Sequence, residues 1–217
     1  FGNPWLDAGI VPFSTLVDPA SGKLSYTADK KYWQDWFPAD FITESFPGQF
    51  KNWFYSMIAM SAVLEKAPPF KTVMGFATLF GEDGRPMHKS WGNAIEFNEG
   101  AEKIGADPMR WTFTRQDPAA NLNFGYGAAD KIKKEFLLIF WNCYKFFIDY
   151  ASADQTNLEN IGFTKVENLS VLDKWIISRL NRLVKSVTEN LDQYNHSASA
   201  LAIEDFGGLS HLTCADI

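Results

Sequence analysis

The stretch between residues 39 and 80 constrains the fold most, because it carries the pattern of a strand, a helix and a second strand. Ala39–Thr43 is a short run typical of a buried strand, and in Gln49–Lys66 apolar residues recur at helical spacing. Pro68–Pro69 ends that helix, and Lys71–Phe80 reads as the second strand. With a right-handed crossover, this order predicts the βαβ unit of a doubly wound parallel sheet.

A basic loop follows the second strand. Asp83–Asn93 reads Asp-Gly-Arg-Pro-Met-His-Lys-Ser-Trp-Gly-Asn, in which Gly84 suits a turn and Pro86 prevents a continuous helix. A strand, a glycine-punctuated basic loop and a helix can present charge to a phosphate, although the same shape is typical of a surface turn. Ligands of such sheets bind beyond the carboxyl ends of the strands, so we expect Gln49 and this loop at one edge.

The region after the loop is predicted to be helical. Glu96–Ile104 reads as a helix that ends at Gly105, and Asp107–Thr114 as a further helix with Asp107 as its N-cap. Asp117–Gly127 reads as a loop. The sequence therefore predicts two short helices before the character of the chain changes.

The last third of the chain carries long amphipathic segments. Asp130–Tyr150 and Leu172–Leu191 have apolar residues at a spacing of three to four, Ser152–Asn168 is a polar connector, and a third helix starts near Ala198. This pattern is typical of a helical bundle. We therefore expect a domain boundary near residues 116–128.

Composition narrows the class of protein. Of the 217 residues, 46% are hydrophobic and 16% aromatic, which favours a sizeable buried core over disorder. The net charge of −6 gives no general basic field for nucleic acid, so any RNA contact must come from local basic patches.

Cys143 and Cys214 indicate neither a disulfide framework nor a zinc site, and the reduced cytoplasm is the expected compartment. No apolar run reaches the roughly 18 residues of a membrane span, and the start at Phe1, without Met or a signal-peptide pattern, suggests a piece of a longer protein.

Several short motifs occur in a fixed order along the chain. They are Trp5–Gly9 (Trp-Leu-Asp-Ala-Gly), Glu44–Gln49 followed by Trp53-Phe54, Met87–Asn93 (Met-His-Lys-Ser-Trp-Gly-Asn), Gly105–Arg110 (Gly-Ala-Asp-Pro-Met-Arg), Leu172–Ile176 and Ala202–Phe206. In these motifs the chain resembles the class I aminoacyl-tRNA synthetases, and their isoleucine branch most closely. It departs from the family where Pro86 stands for a lysine, His88 for a serine and Gly48 for an aspartate beside an inserted residue.

The resemblance implies an α/β part followed by an all-α part. Residues 1–120 would be the second half of a Rossmann-like parallel-sheet catalytic domain, and residues 121–217 the beginning of an anticodon-binding helical bundle. The family's His-x-Gly-His element is missing, since the only histidines are His88, His196 and His211. We therefore expect a fragment that is inactive without the first half of that domain.

The resemblance also implies an activity. It is that of an isoleucine–tRNA ligase in the cytoplasm, with ATP and Mg²⁺ as cofactors and with isoleucine, tRNA-Ile and a separate first half as partners. A membrane is not among the expected partners. Two alternatives remain: a non-catalytic module that binds RNA or a partner through the bundle, and a relative specific for valine or leucine.

The resemblance places the phosphate chemistry at the loop. In the family reaction the amino-acid carboxylate attacks the α-phosphate of ATP and pyrophosphate leaves, so a positioned ammonium stabilises the growing charge. Lys89 is the implied catalytic residue, and His88 and Ser90 are implied to bind ATP with it. Arg85 either replaces the missing first lysine or is a solvated turn residue.

The remaining implied site residues precede the loop. Trp5 and Trp53 would form walls of the isoleucine pocket, because rigid indoles suit a branched aliphatic side chain. Asp7 would orient the substrate ammonium, and Glu44 and Gln49 would bind the adenylate or its ribose. Core packing is the alternative role of both tryptophans.

Overall fold

The computed structural model describes residues 3–155 and 169–214, and of residues 209–214 only the helix. The chain divides into two units, Phe1–Thr78 with Pro118–Leu122 and Leu79–Asp117 with Asn123–Ile217. This is a division by packing, and the expected division at residue 120 into a catalytic part and a bundle stays a prediction. Most of the polar connector predicted at Ser152–Asn168 lies outside the described residues.

The first unit contains the predicted βαβ unit. Strand β1 (Ala39–Ser45) pairs in parallel with β2 (Phe70–Phe76), with Ala39 opposite Phe70 and Ser45 opposite Phe76. The connection consists of helix α5 (Phe46–Gln49), one π-helical turn (Phe50–Phe54) and helix α6 (Tyr55–Leu64). The parallel pairing is confirmed, but the crossover helix begins at Phe46, three residues before the predicted start.

The second predicted strand is broken. Instead of one strand to Phe80, the chain forms β2 and then β3 (Leu79–Gly81). Between them the Ala77 N–H donates to the Pro118 carbonyl at 2.8 Å, and the Thr78 N–H donates to Asn121 Oδ1 at 3.0 Å. These hydrogen bonds to a distant segment take the backbone groups that a continuous strand would need.

Four short helices precede β1 and enclose an aromatic core. They are α1 (Pro4–Gly9), α2 (Val11–Ser14), α3 (Ser25–Ala28) and α4 (Lys30–Gln34). Trp33, 1% exposed, stacks on Phe37 with ring centroids 4.4 Å apart, meets Tyr26 edge to face at 5.0 Å and donates from Nε1 to the Pro12 carbonyl at 2.8 Å. The N-terminal part of the unit is therefore organised around one buried indole.

A hydrogen-bonded carboxylate borders this core. Glu65 accepts a hydrogen bond from the Tyr26 hydroxyl at 2.7 Å and pairs with Lys30, whose ammonium lies 3.7 Å from the Tyr26 ring centroid. The hydrogen bonds from Lys30 and Tyr26 hold the pKa of Glu65 below its usual value. Glu65 thus stays charged and connects α3 and α4 to the end of α6.

The second unit is mostly helical. Strand β3 pairs with β4 (Leu122–Phe124), which lies inside the segment predicted as a loop. The helices are α7 (Phe97–Ile104), α8 (Ala106–Arg115), α9 (Tyr126–Ile132), α10 (Leu138–Ala153), α11 (Val171–Asp192) and α12 (His196–Cys214), with a π-helical turn (Lys133–Leu137) between α9 and α10. Each predicted helix is present with shifted ends.

One prediction about the helix ends, that Asp107 caps a helix, is wrong. Asp107 is not an N-cap: α8 begins at Ala106, and Gly105, at φ +98°, occupies the capping position. Asp107 lies in the first turn and pairs with Arg110 at 3.6 Å. Gly105 both ends α7 and precedes α8 at a positive φ that favours glycine, so α8 starts before Asp107 can cap it.

Helix α12 is anchored to α8 by one carboxylate. Glu204 accepts from Trp111 Nε1 at 2.7 Å and pairs with Arg115 at 3.2 Å. Glu204 lies in one of the motifs singled out above, which gives that motif a packing role. Among the described residues no helix is both long and apolar enough to cross a membrane.

Candidate functional site

The base of the Asp83–Asn93 loop is a tight turn that closes β3. The Gly81 N–H donates to the Arg85 carbonyl at 2.8 Å, and Gly84, at φ +75°, donates to the Gly81 carbonyl at 2.9 Å. Asp83 accepts from the Arg85 N–H at 3.0 Å and from Arg85 Nε at 2.8 Å, and these bonds hold the pKa of Asp83 below its usual value. The charge of Arg85 is therefore engaged at the base of the loop.

Lys89 is exposed on a short turn in the middle of the loop. His88 precedes a 3₁₀ turn (Lys89–Trp91), and its Nδ1 accepts from the Ser90 N–H at 3.3 Å and lies 2.6 Å from Ser90 Oγ. Gly92, at φ +68°, ends the turn by donating to the Lys89 carbonyl at 3.2 Å. Lys89 is exposed and forms no ion pair with any residue the structure describes. The turn thus leaves its ammonium available for an anion.

Two polar residues that hydrogen-bond in or beside the loop, Asn93 and Glu82, were not predicted from the sequence. The Asn93 side chain bonds to His88 and to Pro86 earlier in the loop, although the only sequence signal for it is its place at the end of a motif. Glu82 accepts from the Ala128 N–H at 2.8 Å, and a Cβ on Gly125 would lie 2.6 Å from Glu82 Cβ. No signal in the sequence relates Glu82 to Gly125, 43 positions later.

A cavity of about 370 Å³ lies beside the loop. Its lining includes Glu82, Asp83, Asn93, Glu99 and Tyr126. The three carboxylates make this lining negative, so it is unsuited to a phosphate. Within the described residues no group of three or more His, Cys, Asp or Glu side chains is arranged to hold a metal ion.

The predicted substrate residues lie in the first unit. Trp5 and Asp7 are exposed on α1, and Trp5 keeps 41% of its surface accessible, so core packing does not describe it. Trp53 is half-buried and donates from Nε1 to the Ala8 carbonyl of α1 at 3.2 Å. The structure therefore brings Trp53 and the helix that carries Trp5 and Asp7 together.

Glu44 and Gln49 flank the end of β1. Glu44 is half-buried and its Oε1 accepts from the Ser45 N–H at 2.8 Å, while Gln49 Oε1 accepts from the Trp53 N–H at 3.3 Å. Gln49 thus caps the π-helical turn, and its amide nitrogen has no hydrogen-bond partner among the residues that the structure describes. Because Gln49 and the loop belong to different units, their expected position at one edge stays a prediction.

The glycine of the Trp5–Gly9 motif allows close packing. A Cβ on buried Gly9 would lie 2.8 Å from the carbonyl carbon of Ser56 in α6. We expect Gly9→Ala to lower the free energy of unfolding by about 1–3 kcal/mol, because α1 must move away from α6. Urea denaturation followed by circular dichroism measures the change.

Gly48→Ala is the matched control for that substitution. Gly48 also lies in a helix, but the nearest atom to a Cβ at this position would be Ser45 Oγ at 3.9 Å. This control should leave stability unchanged or raise it slightly, because alanine favours helix over glycine. Equal stability of the two variants would contradict the close-packing role of Gly9.

Comparison with known proteins identifies the family. A family model described as tRNA synthetases class I (I, L, M and V) matches residues 3–125. The chain is 35% identical over 204 residues to the isoleucine–tRNA ligase of Clostridium tetani and 32% identical over 203 residues to that of Thermus thermophilus. Each match covers 93% of this chain but only 19% and 18%, respectively, of the relative.

A solved structure has a similar fold. The LeuRS in the ternary complex LeuRS–tRNA–LeuAMS of Agrobacterium radiobacter K84 aligns with a TM-score of 0.67 over 82% of this chain and 23% of its own, at 16% identity. At that identity the likeness concerns the fold alone, and it agrees with a partial α/β synthetase domain followed by helices. Since the family model also covers more than half of the residues, the chain belongs to the class I tRNA synthetases.

Proposed function

We propose that this chain is the part of an isoleucine–tRNA ligase that carries the phosphate-binding loop. The whole protein would activate isoleucine with ATP and transfer it to tRNA-Ile in the cytoplasm. The observation that carries the proposal is the exposed Lys89 ammonium, presented without an ion pair among the described residues on a turn fixed by His88 and Ser90. The names of the similar relatives support isoleucine as the amino acid.

Lys89 would act on the phosphates during activation. As the isoleucine carboxylate attacks the α-phosphorus and pyrophosphate leaves, negative charge grows on the leaving oxygens, and a fixed ammonium stabilises it. The compact ammonium on a flexible stem can follow the phosphate as bonds change. Mg²⁺ bound with ATP would supply further positive charge.

The first unit would hold the amino acid and the adenylate. The exposed indole of Trp5 and the half-buried indole of Trp53 offer apolar surfaces for a branched side chain. Asp7, exposed on the same helix as Trp5, would pair with the substrate ammonium. Glu44 and Gln49 would bind the adenylate ribose, Gln49 through the amide nitrogen that its cap leaves available.

A second candidate function is a partner-binding module without catalysis. Helix α10 favours it, because Phe140, Trp141, Phe146 and Tyr150 each keep at least 58% of their surface exposed. Exposed apolar surface of this kind marks an interaction site. The partner would be the remainder of a synthetase, another protein or an RNA.

A chimera tests the proposed function. The chain replaces the matching 204-residue segment of the Clostridium tetani isoleucine–tRNA ligase, and ATP–pyrophosphate exchange is measured with isoleucine, valine and leucine. We expect exchange that depends on isoleucine, and little or none from the chain alone. A folded chimera without isoleucine-dependent exchange would favour the binding module instead.

A further inference from the structure

The Asn93 side chain joins the two sides of the Asp83–Asn93 loop. Its Oδ1 accepts from the His88 N–H at 2.9 Å, and its Nδ2 donates to the Pro86 carbonyl at 3.1 Å. Both partners, His88 and Pro86, precede Lys89 in the loop and lie five and seven residues before Asn93. One amide group therefore uses its acceptor and its donor to hold the segment that leads into Lys89.

The surroundings of Asn93 leave space for this amide. A Cβ on Gly81 would lie 3.1 Å from Asn93 Nδ2 and 2.9 Å from Asp83 Oδ1. Gly81 is buried, and its missing side chain lets the amide approach the base of the loop. Asn93 is thus packed between the end of β3 and the turn that carries Lys89.

A chain of hydrogen bonds links Asn93 to the Lys89 turn. Asn93 fixes the backbone of His88, and the His88 ring in turn accepts from the Ser90 N–H at 3.3 Å. Lys89 lies between these two bonded residues. A loop ordered before its ligand arrives loses less conformational entropy on binding, which strengthens binding by its charged group.

We propose that Asn93 is a positioning residue that sets the conformation in which Lys89 meets phosphate. The inference rests on the proposed phosphate role of Lys89 and adds a residue that acts through His88. Asn93 itself is half-buried and its amide is engaged within the loop, so it does not supply a phosphate contact. Its effect on phosphate should therefore appear only through the order of the loop.

Three substitutions separate the contributions of this amide. Asn93→Ala removes both hydrogen bonds, whereas Asn93→Asp keeps an oxygen for the His88 N–H, loses the donor to Pro86 and places a second carboxylate beside Asp83, whose carboxyl interacts with the Asn93 side chain. Asn98→Ala is the matched control, because Asn98 is exposed on α7 and, within the described part of the chain, its side chain donates only to nearby Glu96, at 3.3 Å. None of these positions carries the phosphate-binding charge.

The experiment uses the chain itself, labelled with ¹⁵N. Hydrogen exchange of the His88 amide and titration with inorganic pyrophosphate, followed at the Lys89 and Ser90 amides, are measured for each variant. We expect Asn93→Ala to speed His88 exchange and to weaken pyrophosphate binding, each by about five- to tenfold. Asn93→Asp should give an intermediate His88 exchange rate, because its oxygen still faces the His88 N–H while its charge repels Asp83, and Asn98→Ala should change neither quantity.

Other results would overturn the inference in distinguishable ways. If Lys89→Ala abolishes the pyrophosphate response while Asn93→Ala leaves it unchanged, the positioning role is wrong and the phosphate role stands. Unchanged His88 exchange in Asn93→Ala also refutes the positioning role. If the unaltered chain and Lys89→Ala respond alike to pyrophosphate, the phosphate role of Lys89 is wrong and the positioning role is lost with it.

Discussion

Replacing Lys89 with alanine in the Clostridium tetani chimera is expected to lower isoleucine-dependent exchange about 100-fold. The loss corresponds to roughly 3 kcal/mol of transition-state stabilisation, the typical effect of removing one group aimed at developing charge. Because the negative charge grows during the reaction, the decrease should fall mainly on kcat. Steady-state exchange rates at varied ATP and isoleucine concentrations give both parameters.

Two further variants test whether the loss of activity in Lys89→Ala is specific to this position and to a compact ammonium. Lys23→Ala removes another exposed lysine, outside the candidate site, and should leave exchange unchanged. Lys89→Arg keeps the charge but replaces a compact ammonium by a planar guanidinium, so we expect partial activity. An unaltered rate in Lys89→Ala would remove Lys89 from the mechanism.

Replacing Trp33 with alanine is expected to lower the free energy of unfolding by about 3–5 kcal/mol. The substitution empties the centre of the aromatic core, where the indole stacks on Phe37 and Phe13. It also leaves the Pro12 carbonyl without the hydrogen bond from Trp33 Nε1. Urea denaturation followed by far-ultraviolet circular dichroism measures the loss.

The control for Trp33 lies three residues later on the same segment. Trp36 is 63% exposed, whereas Trp33 is 1% exposed, so Trp36→Ala removes the same side chain from a solvated position. We expect Trp36→Ala to change stability by less than about 0.5 kcal/mol. Similar losses for the two variants would contradict the central role of Trp33.

Much of the candidate site could be predicted because its signals are local. Glycine and proline mark the loop, and the resemblance of Met87–Asn93 to a family motif predicts Lys89 as its functional residue. The same local signals predict the parallel pair β1 and β2, which the structure confirms. The roles of all the predicted site residues, Lys89 included, stay predictions, since they depend on a bound substrate.

Local patterns failed where distant segments meet. The strand predicted through residue 80 breaks at Ala77, because the Ala77 N–H donates to the Pro118 carbonyl and the Thr78 N–H to the Asn121 side chain. Asp107 has the sequence of an N-cap, but Gly105 occupies that position when α7 and α8 share one residue at their junction. The strand error arises because the hydrophobic pattern describes one segment, whereas its hydrogen-bond partners come from a distant one; the Asp107 error arises from the backbone conformation of nearby Gly105.

The sequence by itself determined most of the order of elements, and its family motif predicts Lys89 as the phosphate contact. Hydrophobic period and turn residues are properties of neighbouring positions, so they can be read without a fold. Only the tertiary structure decided how the loop is held, through Asn93 across the loop and through Glu82 against Gly125 and Ala128. A hydrogen bond depends on distance and angle between two groups, and for residues far apart in the chain folding alone sets both.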